Sequence, residues 1–327
     1  MTAPRSSAGA WDSTYHAPVL VDEVVQLLTV APSPTPTAAR TARRVLDCTL
    51  GGGGHSAALL EAGAEVYAVD RDPEAVAAAR ERLRDAEQTG RFHAFVANYA
   101  DLHQVGELGD LGFDGILLDL GISSHQLDHA GRGFTFREGA PLDMRMGEDA
   151  ALDAAALLNE SDERELMRIF KEYADEPRAA RLARVIVRRR GNRSFATSDD
   201  LVGAIREALG PRSGAPDFAR LFQGVRIAVN DELAGLDRAL PELRDRLVVG
   251  GTLAVIAYHS GEDRTVKRAM RDWSAACVCP PRQVVCTCRG RALGSMVTRK
   301  AVTPGADETA RNPRSRSARL RAWRSAE

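Results

Sequence analysis

Over the first third of the chain, apolar residues fall in short runs that each close on a polar one. Val45-Leu46 closes on Asp47, Ala64 to Val69 on Asp70, Phe92 to Ala97 on Asn98-Tyr99, and Phe113 to Leu118 on Asp119. Rich in β-branched and aromatic residues, these runs predict strands. Between them Pro73 to Arg84 has helical spacing, with proline in the first turn. Strand and helix in alternation predict a parallel sheet with right-handed crossovers, whose ligands sit beyond the carboxyl ends of the strands. A cap or a turn would explain any one of the polar strand ends; four in succession point to a site.

From Arg132 the pattern changes. Ala151 to Glu172, Pro177 to Arg190, Asp199 to Leu209 and Asp217 to Leu247 repeat their apolar residues at helical spacing, and Thr197-x-x-Asp200 forms a capping box. Strand character returns at Gly251 to His259, and Ser317 to Trp323 predicts a last edge strand. Asp22 to Leu28 predicts a short helix, whereas 1–14 and 31–37 lack periodicity and are expected to be mobile. The expected organisation is a disordered 1–14, a sheet domain over 15–130 and 229–327, and an inserted all-helical domain over 131–228.

The first strand breaks into Gly51-Gly52-Gly53-Gly54 and then an alanine-rich helix. Glycines let the backbone approach a ligand, and the helix start offers free N–H groups. Gly52-x-Gly54-x-x-Ala57, with Asp70 at the next strand end, also satisfies a dinucleotide fingerprint, so a nicotinamide enzyme stays open on these residues. Asp47 ahead of the glycines favours the arrangement of S-adenosylmethionine-dependent methyltransferases. Asp119-Leu120-Gly121-Ile122-Ser123-Ser124 stands where amino-methyltransferases place acceptors for an exocyclic amine, although a serine-capped turn would read the same way. Because that amine's lone pair is delocalised into its ring, acceptors must hold its N–H groups and draw the nitrogen toward tetrahedral geometry.

Asp47-x-Thr-x-Gly-x-Gly-Gly-His-Ser56, Asp119-Leu-Gly-Ile-Ser-Ser-x-Gln126-Leu-Asp128, Arg132-Gly-Phe-x-Phe136, Pro141-Leu-Asp-Met-Arg-Met146, Phe222-Gln-x-x-Arg-Ile-x-Val-Asn-x-Glu-Leu233, His259-Ser-x-Glu-Asp-Arg264 and Asn312-Pro-Arg-Ser-Arg-Ser-Ala318 together resemble the MraW-type small-subunit ribosomal RNA methyltransferases. The resemblance spans nearly the whole chain. It implies a Rossmann-like α/β methyltransferase sheet with a helical insertion, S-adenosyl-L-methionine as cofactor, and methylation of a cytosine N4 in the decoding region of 16S ribosomal RNA within the small ribosomal subunit. By position it implies cofactor contacts at Gly53, Gly54, His55, Asp70, Tyr99, Asp119 and Gln126, with Tyr99 against the adenine. Asp119, Ser123, Ser124 and His259 are the candidate catalytic residues, while Ser260-x-x-Asp263 fits a helix capping box as well as it fits a catalytic role. Gly261 stands where the family has leucine. A methyltransferase acting on another base, and a non-catalytic RNA-binding assembly factor, remain the alternatives.

A formal charge of -1 over 327 residues excludes a protein that coats nucleic acid through a global field, so any RNA contact must come from local patches. Arg178, Arg181, Arg184 and Arg188 share one helix face, Arg311, Arg314, Arg316, Arg319, Arg321 and Arg324 crowd the C-terminus, and Arg132 and Arg145 are candidates for holding the target strand. No apolar run is long enough to span a bilayer, which gives the expectation of a cytoplasmic protein with no membrane partner; oligomeric state is left open. Five cysteines argue for reduced thiols over a disulfide framework. Cys277-x-Cys279 and Cys286-x-Cys288 on a hairpin could gather around zinc, but the spacing is narrow for such a site, so ordinary thiols and no metal are the expectation.

Overall fold

The computed structural model describes residues 18–30, 42–122, 129–280, 282–283 and 285–326. The chain divides into two units, Met1–Gly121 with Gly235–Glu327, and Ile122–Ala234, so the second unit is somewhat longer at both ends than the insertion expected from the sequence. The segments 1–14 and 31–37 lie outside the described residues.

The first unit is built on a seven-stranded sheet ordered β3-β2-β1-β4-β5-β7-β6. Its strands are β1 (Arg44–Asp47), β2 (Glu65–Asp70), β3 (Phe92–Val96), β4 (Phe113–Asp119), β5 (Leu247–Ala257), β6 (Gly294–Met296) and β7 (Arg319–Ser325). The first five are mutually parallel, whereas β7 runs antiparallel to both β5 and β6. The C-terminal strand, expected at the edge, is therefore internal, and the edge on that side is the three-residue β6. So short a strand has no alternation to read; it exists through its pairing with β7.

Helices α1 (Val21–Val25), which widens into a π-helical turn over Gln26–Val30, α2 (Gly54–Glu61), α3 (Pro73–Arg82) and α4 (Arg84–Gln88) precede the second unit. That unit contains α5 (Ala154–Glu160), α6 (Glu163–Glu172), α7 (Ala179–Arg190), α8 (Ser198–Leu209) and α9 (Ala215–Val229). After it come α10 (Glu232–Asp245), α11 (Ser260–Ser274) and α12 (Ala306–Arg311).

Alternate strand residues point to opposite faces, and both faces of the sheet are covered. Leu46, Ile116, Leu118, Leu253 and Val255 pack with Leu236, Leu240 and Leu243 of α10 and with Val266 and Met270 of α11. Val45, Leu117, Ala254 and Ile256 pack with Val24 and Leu28, Leu59 of α2 and Val76 of α3. Burial on two sides is why these strands read as unbroken apolar runs.

In the second unit Leu158, Leu166, Phe170, Leu182, Ile186, Leu201, Ile205, Leu221 and Val225 make one core. Among its described residues there is no strand, only a bridge between Pro141 and Thr197. The box at Thr197 and Asp200 forms as expected. Two expected long helices are broken instead. Ala151 to Glu172 divides at Asp162, whose carboxylate accepts the Glu165 N–H at 2.7 Å and starts α6. Asp217 to Leu247 divides at Asn230-Asp231, where Asp231 takes the left-handed region at φ 51. Asn230 is buried there because its amide holds backbone elsewhere, accepting the Met146 N–H at 2.8 Å and donating to the Met144 carbonyl at 2.7 Å.

Candidate functional site

Strand order reverses between β1 and β4, so the crossovers leave to opposite sides and a crevice opens beyond the carboxyl ends. The turn after β1 runs across those ends: the Cys48 N–H donates to the Leu117 carbonyl at 2.9 Å and the Leu50 N–H to Val69 at 3.1 Å. At the end of β2, the Asp70 carboxylate accepts the Gly51 N–H at 2.8 Å and the Asp72 N–H at 2.9 Å. Burial nonetheless pushes its carboxyl up to about 6, against the pull of both donors. Gly51 has φ +49, and a Cβ there would meet nothing within 4 Å, so the turn is open on that side.

Asp119, at the end of β4, is held from several directions. The Tyr258 hydroxyl donates to Oδ1 at 2.9 Å, His55 Nδ1 lies 3.6 Å from Oδ2, and the Asp119 N–H donates to Thr49 Oγ1 at 2.7 Å. The other ring nitrogen of His55 donates to the Val19 carbonyl at 2.9 Å, which fixes the ring. Burial, together with the neighbouring Asp119, pushes the Tyr258 phenol well above its ordinary value, so it stays a donor. Asn98 accepts the Ala100 N–H at 3.0 Å and starts a 3₁₀ turn over Tyr99–Gln104, setting Tyr99 half-buried against the core.

Not every expected contact faces this crevice. Asp47 is only 1% exposed and is consumed by the turn, accepting from Ser56 Oγ at 2.7 Å and the Thr49 N–H at 3.2 Å. Gly53 caps α2 at φ +73, and a Cβ on it would meet Leu83 Cδ1 at 3.2 Å and Ala79 Cβ at 3.3 Å. A Cβ on Gly54 would meet Pro18 Cγ at 3.0 Å. These two glycines are therefore needed for packing, and only their backbone is left to meet a cofactor. Ser123, Ser124 and Gln126 lie outside the described residues.

His259, a candidate for catalysis, is the N-cap of α11. Its Nδ1 accepts the N–H groups of Gly261 and Glu262 at 3.2 and 3.4 Å, and Nε2 lies 3.0 Å from Glu262 Oε1. Glu262 closes the box by accepting the Tyr258 and His259 N–H groups at 2.8 and 3.3 Å. The box expected at Ser260 and Asp263 thus forms one residue earlier. Asp263 is drawn away by a buried two-pronged pair with Arg321, at 2.6 and 3.1 Å.

That pair also corrects the reading of the C-terminal arginines as one basic surface. Arg321 is buried, Arg319 lies 3.7 Å from Asp263, and Arg324 Nε donates to Thr252 at 3.3 Å, whereas Arg314 and Arg316 stand exposed on the turn Pro313–Ser317. In the second unit Arg145 is matched by Asp143 through bonds of 2.9 and 2.7 Å, and Arg132 donates to the carbonyls of Arg145 and Met146 at 3.3 and 3.2 Å. The cationic face of α7 is exposed but partly spent as well: Arg178 donates to the Leu209 carbonyl at 2.8 Å, Arg184 to the Ala180 carbonyl at 3.2 Å, and Arg188 pairs with Glu207. Sequence reading passed over Gly51, Thr49 and Tyr258 as individual site residues. The first two lie inside the glycine motif and were legible in principle; Tyr258 is 139 residues from Asp119 and had no local signal.

Comparison with known proteins places residues 13–326 in a match to the MraW methylase family. A protein of Gemmatimonas aurantiaca named ribosomal RNA small subunit methyltransferase H is 65% identical over 326 residues, covering 100% of both chains. Proteins of the same name from Heliobacterium mobile and from an Anaeromyxobacter species are each 46% identical, the first covering 94% of this chain and 97% of its own, the second 94% and 96%.

Proposed function

Because the chain belongs to the MraW methylase family, we propose that it transfers the methyl group of S-adenosyl-L-methionine to the N4 amine of a cytosine in the decoding region of small-subunit ribosomal RNA. The observation that carries this reading is the Asp70 carboxylate, fixed by the N–H groups of Gly51 and Asp72 at the end of β2 and beside the open face of the turn. Each of its oxygens keeps a lone pair for a ribose hydroxyl. The Tyr99 ring offers a face for adenine, and the turn backbone from Gly51 to Gly54 receives the methionine end. When bound, S-adenosylmethionine supplies an electrophilic methyl on a sulfonium sulfur.

Asp119 is the acceptor for the cytosine amine. Tyr258 and His55 hold its carboxylate in one orientation at the end of β4, so no reorganisation is needed as the nitrogen becomes positive. By accepting an amine N–H, the carboxylate draws the lone pair out of conjugation and takes up the developing charge. Exposed Arg314 and Arg316 are positioning charges for the RNA backbone. The family's partner on this reading is the small ribosomal subunit; among the described residues no helix is long and apolar enough to cross a membrane.

The test is methyl transfer from labelled donor to small subunits taken from cells lacking the protein, followed by digestion to nucleosides. N4-methylcytidine is the expected product. Label in a different nucleoside would replace the substrate assignment, and donor binding without any transfer would make the protein an assembly factor.

A further inference from the structure

Between α11 and β6 the chain makes a long excursion that the methyl-transfer reading does not use. No described residue from Ser274 to Leu293 is buried, and Val278 and Val285 stand 46% and 69% exposed. Ordering a residue costs about 1–2 kcal/mol of backbone entropy, and between Cys277 and Cys288 the described residues bury little apolar surface to offset it. Its ends are pinned, by the Leu293 N–H to the Trp273 carbonyl at 2.8 Å and by the Arg289 guanidinium to the Ala275 carbonyl at 3.0 Å. Between those ends Gln283 ties the turn, its N–H donating to the Pro280 carbonyl at 3.0 Å and its amide to Val285 and Thr287 at 2.9 and 2.7 Å, and the two arms meet at their sulfurs.

The sulfurs of Cys277, Cys279, Cys286 and Cys288 all lie within 4.8 Å of one another. Cys277 and Cys286 are 3.7 Å apart, Cys277 and Cys288 3.8 Å, Cys279 and Cys286 3.9 Å, and Cys286 and Cys288 3.5 Å. A disulfide would bring two sulfurs to about 2.05 Å. Zinc–thiolate bonds of about 2.3 Å in a tetrahedron place the sulfurs about 3.8 Å apart, close to the spacing of these four pairs. The backbone is arranged to match. The middle residue of each Cys-x-Cys serves the second cysteine of the other: the Val278 N–H donates to Cys288 at 3.4 Å, and backbone at Thr287 bonds to Cys279. Amides aimed at sulfur favour the thiolate, the form that binds a metal.

We propose that Cys277, Cys279, Cys286 and Cys288 form a closed four-thiolate site for a single zinc ion that folds this segment. Binding releases the thiol protons to solvent and fills all four positions of the tetrahedron, leaving none for substrate, so the ion is structural. The 15 residues of α11 separate the cysteines from the Asp119 strand end by about 22 Å of helix. The narrow spacing within each pair, which argued against zinc in the sequence, is accommodated because the reciprocal amide bonds turn the two arms toward each other.

Element analysis of the full chain, purified under reducing conditions without added metal, should give one zinc per chain and no iron. Cys277→Ser with Cys286→Ser should reduce this to none while donor affinity by calorimetry is unchanged. Should that variant fail to fold, the wild-type chain stripped of metal and titrated with cobalt(II) should develop the intense visible bands of a tetrahedral thiolate site at one equivalent. Wild-type chain with neither bound zinc nor a cobalt spectrum would overturn the site. Iron in its place would overturn the assignment of the ion, and zinc retained when all four cysteines are serine would overturn the ligands.

Discussion

Replacing Asp70 with asparagine separates what the fold tolerates from what donor binding needs. Raising a carboxyl from its ordinary 3.8 to about 6 means that the ionised form sits about 3 kcal/mol above its solvated reference in the free protein. A raised carboxyl destabilises the fold as pH climbs from about 4 to about 6, and the full penalty is present above that. Asp70→Asn removes the penalty but turns an NH₂ toward one of the two backbone N–H groups now satisfied by Gly51 and Asp72, a loss of about 1–3 kcal/mol. The free variant should therefore be as stable as wild type at pH 7.5, or slightly more so, in urea denaturation. Donor affinity should move the other way. Ribose hydroxyls donate to the carboxylate and favour its charged form, so losing that charged acceptor should cost about 1.5–3 kcal/mol, roughly ten- to a hundred-fold in Kd. Wild-type affinity, measured by calorimetry, should also fall as pH drops from 7 to 5, by up to about ten-fold for each unit below 6, while the variant stays flat. Equal affinities, or the same pH slope in both proteins, would refute the argument.

Asp119→Asn should lower turnover at saturating donor by about 10²–10⁴ with RNA affinity little changed; wild-type turnover restored by saturating donor would make Asp119 a cofactor ligand only. Asp263→Ala strands the buried guanidinium of Arg321 and should cost about 3–5 kcal/mol in chemical denaturation, whereas replacing both residues with leucine should recover much of it; a loss below about 1 kcal/mol would mean that Arg321 reaches water. Arg314→Ala with Arg316→Ala should weaken binding to small subunits at low salt, with a shallower salt dependence and unchanged donor affinity, and unaltered subunit binding would assign the pair to structure alone.

The parallel strands were legible because burial on both faces writes them as apolar runs, of which Ile116, Leu117 and Leu118 are the plainest. What escaped depends on distant partners. A strand of three residues such as β6 is defined by the register of Met296 against Trp323. The break at Asp231 follows from what Asn230 binds, since Met144 and Met146 lie far upstream. Local spacing put a capping box at Ser260 and Asp263, and the distant Arg321, which holds Asp263, has no trace in that spacing. In the site, Asp70 and Asp119 were readable as polar strand ends, but the same pattern marked Asp47, and nothing local shows that Ser56 turns it inward.

Strands β4 and β5 lie side by side, yet Asp119 and Leu247 are separated in the chain by the whole of the second unit. During synthesis at about 5–20 residues per second, the roughly 130 residues between them take roughly 6–25 s to emerge. For that interval the β4 edge, flanked by Ile116, Leu117 and Leu118, has no neighbour of its own chain to pair with, and it is an open template for a strand from any other. The insertion thus sets a timing problem for every copy made: refolding at high concentration should hand the β5 of one molecule to the β4 of the next, and the yield of chains paired within themselves should be governed by how quickly the intervening helices gather and shorten the gap.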